Sequence, residues 1–201
     1  MHYISDALYW ISYGLLVPVT LLLIYFFVRS LFLLGAFFGQ MLQKRECEVL
    51  IHNVVNSLNA DSLTSIGDQL PNSKISLVSR YMRAVVSASE SRAKVDFLEA
   101  QFEIEAEKDL ELSKTLIKMG PMLGLMGTLI PMGPALVGLT AGDMETMAYN
   151  MQIAFATTVV GLFSAAIGFV TKQIKQRWVN QDINNLQFLC DLIAETNEKQ
   201  K

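Results

Sequence analysis

Three long apolar stretches separate the polar segments of this chain. They cover roughly residues 7–28, 119–139 and 151–170, and each has about the ~20 residues that a helix needs to cross the ~30 Å hydrocarbon core of a bilayer. The first lacks a basic leader and a small-residue cleavage site, so the pattern predicts a retained span rather than a signal peptide. The sequence therefore predicts an all-α integral membrane protein with three transmembrane helices.

The polar segments beside the second and third spans keep a helical period. Apolar residues recur at helical spacing from Leu77 to Ala106, and no Gly or Pro interrupts the chain from there to Lys118. We expect one long helix over this segment, entering the membrane near Lys118, and a loop over the Asn-, Ser-, Gly- and Pro-containing residues 56–76. An apolar stripe follows the third span at Ile174, Trp178, Ile183, Leu186, Leu189 and Ile193. Helices two and three are thus predicted to extend into a cytoplasmic helical bundle.

The basic residues predict the orientation. No Lys or Arg precedes Arg29, and none lies between positions 119 and 171. The positive-inside rule therefore places the N-terminus outside and the C-terminus in the cytoplasm. We expect the chain in the inner (cytoplasmic) membrane of the cell. The predicted segments are a first transmembrane helix with an interfacial extension (1–39), a cytoplasmic helical domain (40–118), a second transmembrane helix (119–139), an outer turn (140–150), a third transmembrane helix (151–171) and a cytoplasmic C-terminal helix (172–201).

Composition and motifs argue against several functions. The chain is 52% hydrophobic and 17% charged with a formal net charge of -3, and it has no basic patch with interleaved aromatic residues, so we expect no nucleic-acid partner. It also lacks a Gly-rich phosphate loop, a nucleophile–base set and a cluster with metal-ligand spacing. We therefore expect no enzyme activity, no cofactor and no metal, and an intramembrane enzyme is a weak alternative.

Small residues form one face on each of the last two spans. In the second span they follow alternating steps of four and three residues, at Gly120, Gly124, Gly127, Pro131, Pro134 and Gly138. In the third span the same steps relate Asn150, Ala154, Thr157, Gly161, Ser164, Gly168 and Thr171. In lipid, helices associate through close packing rather than through a hydrophobic force. The two faces predict that these spans pack tightly as antiparallel neighbours.

The spans contain hydroxyl groups but no carboxylate. All 19 Asp and Glu residues lie outside them, although an acid at membrane depth is what normally marks a proton path. Two prolines, Pro131 and Pro134, release backbone carbonyls near Thr128, which suits either a helix beside a hydrated path or an ordinary packed bundle. If the chain conducts protons, the titrating carboxylate must come from another polypeptide.

Two motifs resemble those of a known family. The segments GPMLGLMGTLIPM (120–132) and AFATTVVGLFSAAIGF (154–169) are similar to the second-span and last-span motifs of the MotA/TolQ/ExbB proton-channel family, and the three-span layout is similar to its ExbB/TolQ branch. By this resemblance Thr128 and Thr158 match the two threonines of the ion path. Pro121, Gly124 and Gly127 match structural positions of the first motif, and Gly161 matches one of the second.

The resemblance also implies partners and a function. It implies a homo-oligomer, a pentamer, around a single-span ExbD/TolR/MotB-like protein that supplies an intramembrane aspartate. The complex would be driven by the proton-motive force and couple ion flow to mechanical work. Thr157 is an additional hydroxyl that we assign to the ion pathway, which leaves sodium open as the ion. The alternative function is a non-conducting helical membrane scaffold that uses the same small faces.

Overall fold

The described part of the chain folds into four helices. The computed structural model describes residues 2–56, 77–89 and 91–199, and the secondary structure in these ranges is helical, without strands. The helices are α1 (His2–Asn56), α2 (Leu77–Ser87), α3 (Arg92–Ala141) and α4 (Met144–Lys199). The prediction of an all-α fold is confirmed. The predicted loop at 56–76 lies, apart from Asn56, outside the described residues.

Three of these helices are long and apolar enough to cross a membrane. The candidate spans lie within Trp10–Leu42, Arg92–Ala141 and Met144–Thr196, so the prediction of three spans is also confirmed. The 50 residues of α3 extend about 75 Å at a rise of ~1.5 Å per residue, which is more than twice the ~30 Å of a hydrocarbon core. A large part of α3 therefore lies outside any bilayer that it crosses.

A break separates α2 from α3, where the sequence predicted one continuous helix. Helix α2 ends at Ser87, whose hydroxyl donates to the carbonyl of Ala84 over 2.8 Å. The next begins after Ser91, whose carbonyl accepts from the backbone N–H of Lys94 at 3.0 Å. Serine hydroxyls compete for the backbone bonds of a helix, and the turn lets Tyr81 of α2 pack edge-on against Phe102 of α3 with ring centroids 5.4 Å apart.

The connection between α3 and α4 is shorter than the predicted turn at 140–150. Gly142 has φ +75°, a left-handed conformation that costs glycine little, and α4 begins immediately afterwards. Asp143 caps this helix: one carboxylate oxygen accepts the backbone N–H of Thr146 at 3.0 Å and the other accepts its hydroxyl at 2.6 Å. These bonds, the hydroxyl one first, lower the pKa of Asp143 because they favour the charged carboxylate.

The helices contribute to two compact units, 1–35 with 112–172 and 36–111 with 173–201. The first unit has two small buried clusters that join α1, α3 and α4. One contains Val19, Leu23 and Leu123, and the other contains Leu33, Leu116 and Ile167. The apolar residues of each cluster are large and branched, in contrast with the small residues that bring α3 and α4 together.

The second unit has the larger core. Its buried cluster joins α2, α3 and α4 through Val78, Tyr81, Met82, Val85, Val95, Phe102, Ala106, Leu186, Leu189, Cys190 and Ile193. In the same unit, Phe37 of α1 stacks on Trp178 of α4 with ring centroids 5.7 Å apart. At the surface, Arg80 pairs with Glu105 at 2.6 Å. This cluster contains Leu186, Leu189 and Ile193 of the stripe predicted after the third span.

One ion pair of the second unit is held by a buried lysine. Lys175 of α4 is 4% exposed and pairs with Asp109 of α3, which is 57% exposed, over 2.9 Å. We expect Asp109→Ala to lower the free energy of unfolding by about 1–2 kcal/mol, because it leaves a buried ammonium without its carboxylate. The loss is no larger because Asp109 is exposed and water screens its charge. Denaturant unfolding in detergent measures this change.

A matched control separates this pair from surface charge in general. Glu103→Ala removes an exposed acid from the same helix, and its effect should stay within about 0.5 kcal/mol. The double variant Asp109→Ala/Lys175→Met should recover part of the loss, because it removes the unpaired charge as well. An Asp109→Ala protein as stable as Glu103→Ala would show that the pair contributes nothing.

Candidate functional site

The backbones of α3 and α4 touch at two glycines. A Cβ atom added to Gly120 would lie 2.6 Å from the carbonyl oxygen of Gly161, and a Cβ added to Gly161 would lie 2.6 Å from the carbonyl oxygen of Gly120. Real Cβ contacts are essentially never so short. Only glycine at both positions permits this approach, which is the mode of packing expected of membrane helices.

Thr157 lies inside the same interface. A Cβ at Gly127 would meet the Cβ and the hydroxyl oxygen of Thr157 at 2.6 Å, so the threonine side chain fills the space that the glycine leaves. Thr157 is 9% exposed, and its hydroxyl donates to the carbonyls of Ile153 and Ala154 at 3.0 and 2.9 Å. The sequence predicts Thr157 both on the small packing face and in the ion pathway, and the structure shows its side chain in the packing face.

The remaining small residues occupy different environments. Gly168 lies against Ser113 and Leu116 of α3, and Gly138 lies against the backbone of Asp143 and Met147 at the turn. Ser164 is 1% exposed and donates to the carbonyl of Val160. The other assigned packing positions are buried at Gly124 and Pro131, half-buried at Pro134 and exposed at Pro121.

A polar contact in this interface was missed from the sequence. The hydroxyls of Ser113 and Thr171 lie 3.3 Å apart, and both residues are 0% exposed. Thr171 donates its own proton to the carbonyl of Ile167 at 2.7 Å, so Ser113 is the donor to Thr171. Ser113 precedes Gly120 by seven residues, which is one further repeat of the four-plus-three spacing and the signal that could have identified it.

Helix α1 covers one side of the α3 and α4 pair. Ile130 of α3 and Val160 of α4 both pack against the cluster of Val19, Leu23 and Leu123. Each follows the residue that faces the partner helix, Gly127 or Thr157, by three positions. At about 100° per residue, both therefore lie roughly 60° to the same side of the contact line between α3 and α4.

Thr128 and Thr158 lie on the opposite side of the pair. Each follows Gly127 or Thr157 by one position and so lies about 100° away from the contact line, in the direction opposite to Ile130 and Val160. A Cβ atom added to Gly124 would lie 3.5 Å from the Cα of Thr158, and Thr128 is one turn, about 6 Å, further along α3. The two threonines thus lie close together on the side that α1 leaves open.

The hydroxyls on this open side point back to their own helices. Thr128 donates to the carbonyl of Leu125 at 2.7 Å and Thr158 donates to the carbonyl of Ala154 at 3.1 Å. A hydroxyl that has donated its proton keeps its lone pairs as acceptors. Within the described ranges there is no group of three or more His, Cys, Asp or Glu residues that could hold a metal ion.

The family of the chain follows from a comparison of sequence profiles. The profile described as "MotA/TolQ/ExbB proton channel family" matches residues 72–187, which is more than half of the 201 residues. The chain belongs to the MotA/TolQ/ExbB family. No curated protein and no solved structure matches it.

Membership of the MotA/TolQ/ExbB family gives the function in outline. The matched range contains α2, α3 and most of α4, and so includes both glycine faces and both threonines of the open side. The family implies a proton-channel role in energy-transducing complexes, and its members form oligomeric channels with partner proteins. Together with three apolar helices, it identifies a multi-pass membrane protein.

Proposed function

We propose that this chain is the channel subunit of a motor complex driven by the proton-motive force, and that the open side of the α3 and α4 pair faces the helix of a single-span ExbD/TolR/MotB-like partner. The observation that carries this proposal is the position of Thr128 and Thr158. They share the side of the pair that α1 leaves uncovered, and they lie about one turn apart in height.

The chemistry of the open side supports such a partner. Around the two threonines it exposes large apolar residues, among them Leu125 (60%) and Phe155 (65%). An apolar surface with two hydroxyls suits a transmembrane helix that carries a single polar group, because packing and a few polar contacts drive association in lipid. The absence of any Asp or Glu from 119–139 and 151–171 leaves the titrating group, an aspartate, to that partner.

The driving force has the required magnitude. One elementary charge that crosses 100 mV releases about 2.3 kcal/mol, roughly the worth of one or two hydrogen bonds to a charged group. Protonation and deprotonation of the partner's aspartate can therefore bias its position against the two threonines. We place the complex in the inner membrane as a pentamer of this chain, with the N-terminus outside and the C-terminus in the cytoplasm, as the distribution of basic residues favours.

The decisive experiment replaces Thr158 by the isosteric valine. With a partner co-expressed, Thr158→Val should reduce voltage-driven proton flux into vesicles about tenfold, because one hydrogen bond to the aspartate is worth about 1–1.5 kcal/mol. Thr128→Val should act in the same direction. The flux is measured with an entrapped pH-sensitive dye at equal amounts of assembled protein.

The neighbouring residue supplies the matched control. Thr157→Val has the same shape change one position away, but its side chain lies in the α3 and α4 interface, so the flux should stay within about twofold of the wild type. If Thr158→Val conducts like Thr157→Val, the open side is not the ion path. If no partner gives any flux, the scaffold alternative replaces the channel.

A further inference from the structure

Two exposed apolar residues lie in the charged part of α3. Phe97 is 65% exposed and Ile104 is 61% exposed, although the surrounding sequence RAKVDFLEAQFEIEAEKDLE (92–111) is too charged to face lipid. They line a groove of about 420 Å³ together with Ala100, Gln101, Glu105 and Lys108. Apolar groups around a groove in water are the surface that a protein partner covers.

A stripe along α3 combines these residues with positive charge. Lys94, Phe97, Gln101, Ile104 and Lys108 follow steps of three and four, so they lie on one face; we call this face the α3 stripe. Phe97 lies about 150° around the helix from the buried positions Val95 and Phe102. The α3 stripe therefore points away from the core of the second unit.

A second outward face of the same unit carries a matching residue. Phe188 of α4 is 46% exposed and also lies about 150° around its helix from the buried Leu186 and Ile193. It is followed by the exposed acid Asp191. Val95 and Phe102 of α3 belong to the same buried cluster as Leu186 and Ile193 of α4. Phe97 and Phe188 therefore each lie on the outward face of their own helix, away from that cluster.

The two surfaces lie at the same height along the helices. The ion pair between Asp109 and Lys175 fixes the register of α3 against α4. Phe97 lies twelve residues before Asp109, about 18 Å away, and Phe188 lies thirteen residues after Lys175, about 20 Å away in the same direction. By the same register Lys94 is level with Asp191, which places opposite charges beside the two phenylalanines.

We propose that the groove of the α3 stripe binds Phe188 of a second copy of this chain, with Lys94 facing Asp191 across the contact. Copies related by a rotation axis parallel to the helices contact each other at the same height along those helices. A contact between two different surfaces of such copies closes into a ring when the rotation angle divides a full turn evenly. The register, the outward directions and the charges all fit this arrangement. The proposal specifies the contact within the oligomer on which the proposed function rests.

The charges also identify the correct pair of faces. Neither Lys94 nor Asp191 forms a salt bridge with any described residue of its own chain, so each is available to another copy. Phe97 and Phe188, packed beside the facing Lys94 and Asp191, exclude water from the contact of the two charges, which strengthens their attraction. A contact of the α3 stripe with itself would instead bring Lys94 and Lys108 of one copy against the same lysines of the other.

A cysteine pair tests the contact in the full chain. In a Cys47→Ser/Cys190→Ala background, Phe97→Cys/Phe188→Cys should give disulfide-linked species between copies under mild oxidation in membranes. A disulfide needs the two Cβ atoms within about 4 Å, and the proposed contact brings position 97 of one copy against position 188 of the next. The control Phe97→Cys/Arg177→Cys uses the same face of α4 eleven residues away, about 16 Å. We expect at least about tenfold more cross-linked dimer and higher species from the first variant. Equal yields, or dimers formed by Phe97→Cys alone, would overturn the proposal.

A charge exchange tests the same contact without cysteine. Lys94→Glu should decrease the oligomer yield in native electrophoresis, and Lys94→Glu/Asp191→Lys should restore it, whereas a double variant no better than the single one contradicts the pairing. Both assays need neither the partner nor ion flux. Cross-links between copies without proton flux would refute the proposed channel but support this contact. Proton flux without cross-links would support the channel and refute this contact.

Discussion

Gly120→Ala is expected to lower the free energy of unfolding of the first unit, 1–35 with 112–172, by about 2 kcal/mol, in the range for overpacked sites. Its new Cβ would stand 2.6 Å from the carbonyl oxygen of Gly161. That atom belongs to a helix backbone, so the clash can be relieved only when α3 and α4 move apart. Separation also loosens the contacts at Gly124 and Gly127, since they belong to the same face. Thermal unfolding in detergent, followed by intrinsic tryptophan fluorescence, measures the loss.

Gly133→Ala is the matched control on the same helix. No atom lies within 4 Å of a Cβ at Gly133, and alanine is favoured over glycine in a helix by up to about 1 kcal/mol, so this variant should be neutral or more stable. Gly161→Ala should resemble Gly120→Ala, and the double variant should cost less than the sum, because both changes open the same contact. A destabilised Gly133→Ala protein would mean that helix flexibility, rather than close approach, explains the glycines.

Phe102→Ala is expected to lower the free energy of unfolding by about 3–5 kcal/mol. The phenyl ring is 1% exposed and packs edge-on against Tyr81 at the centre of the cluster that joins α2, α3 and α4. Alanine would leave a cavity that these helices can close only in part. Denaturant unfolding that monitors the loss of helix by circular dichroism tests this prediction.

Two further variants define the origin of that effect. Phe102→Leu keeps most of the volume and should cost about 1–2 kcal/mol. Ile104→Ala removes apolar atoms from an exposed position two residues away, and in dilute detergent, where no second copy covers it, its effect should stay within about 0.5 kcal/mol. The loss of unfolding free energy should be largest for Phe102→Ala, smaller for Phe102→Leu and smallest for Ile104→Ala. Similar losses for Phe102→Ala and Ile104→Ala would contradict a core that buries Phe102 and leaves Ile104 exposed.

Much of the membrane-embedded architecture is predictable from the sequence because few solutions satisfy a bilayer. Backbone groups in lipid must be paired within the segment, so long apolar runs become helices, even through Pro121, Pro131 and Pro134. The four-plus-three spacing of small residues likewise predicts which faces approach, and the contact between Gly120 and Gly161 follows from it. Helix propensity in water has little influence on either result.

The helix boundaries outside the spans were less predictable. No Gly or Pro marks the break between Ser87 and Arg92, and it is the packing of α2 against α3 that requires the turn. The end of α3 did carry a signal, since a Gly that can adopt positive φ is followed by an Asp that can cap the next helix. The sequence predicts a turn of eleven residues because Gly142 and Asp143 lie in the acidic segment TAGDMETMAYN (140–150), which has no basic residue.

The candidate site depends on information that lies in another part of the chain. The spacing of Thr128, Thr157 and Thr158 places them near the contact line of α3 and α4, but only the packing of α1 determines which side remains open. The spacing of Thr157 predicts its place on the small face, where it fills the space at Gly127, and its hydroxyl alone is the reason to assign it to the ion pathway as well. The roles of Thr128 and Thr158 in ion flow stay predictions, which the valine variants test.

The inward hydrogen bonds of Thr128 and Thr158 have a consequence for the affinity of a neighbouring acid for its proton. Both hydroxyls give their hydrogen to their own helix backbone, so they meet any group on the open side as acceptors only. A neutral carboxylic acid can donate to such an oxygen, whereas a carboxylate finds no donor there. The open side of the α3 and α4 pair therefore favours the protonated acid. An aspartate that has released its proton is less stable beside the two threonines and is driven away from them.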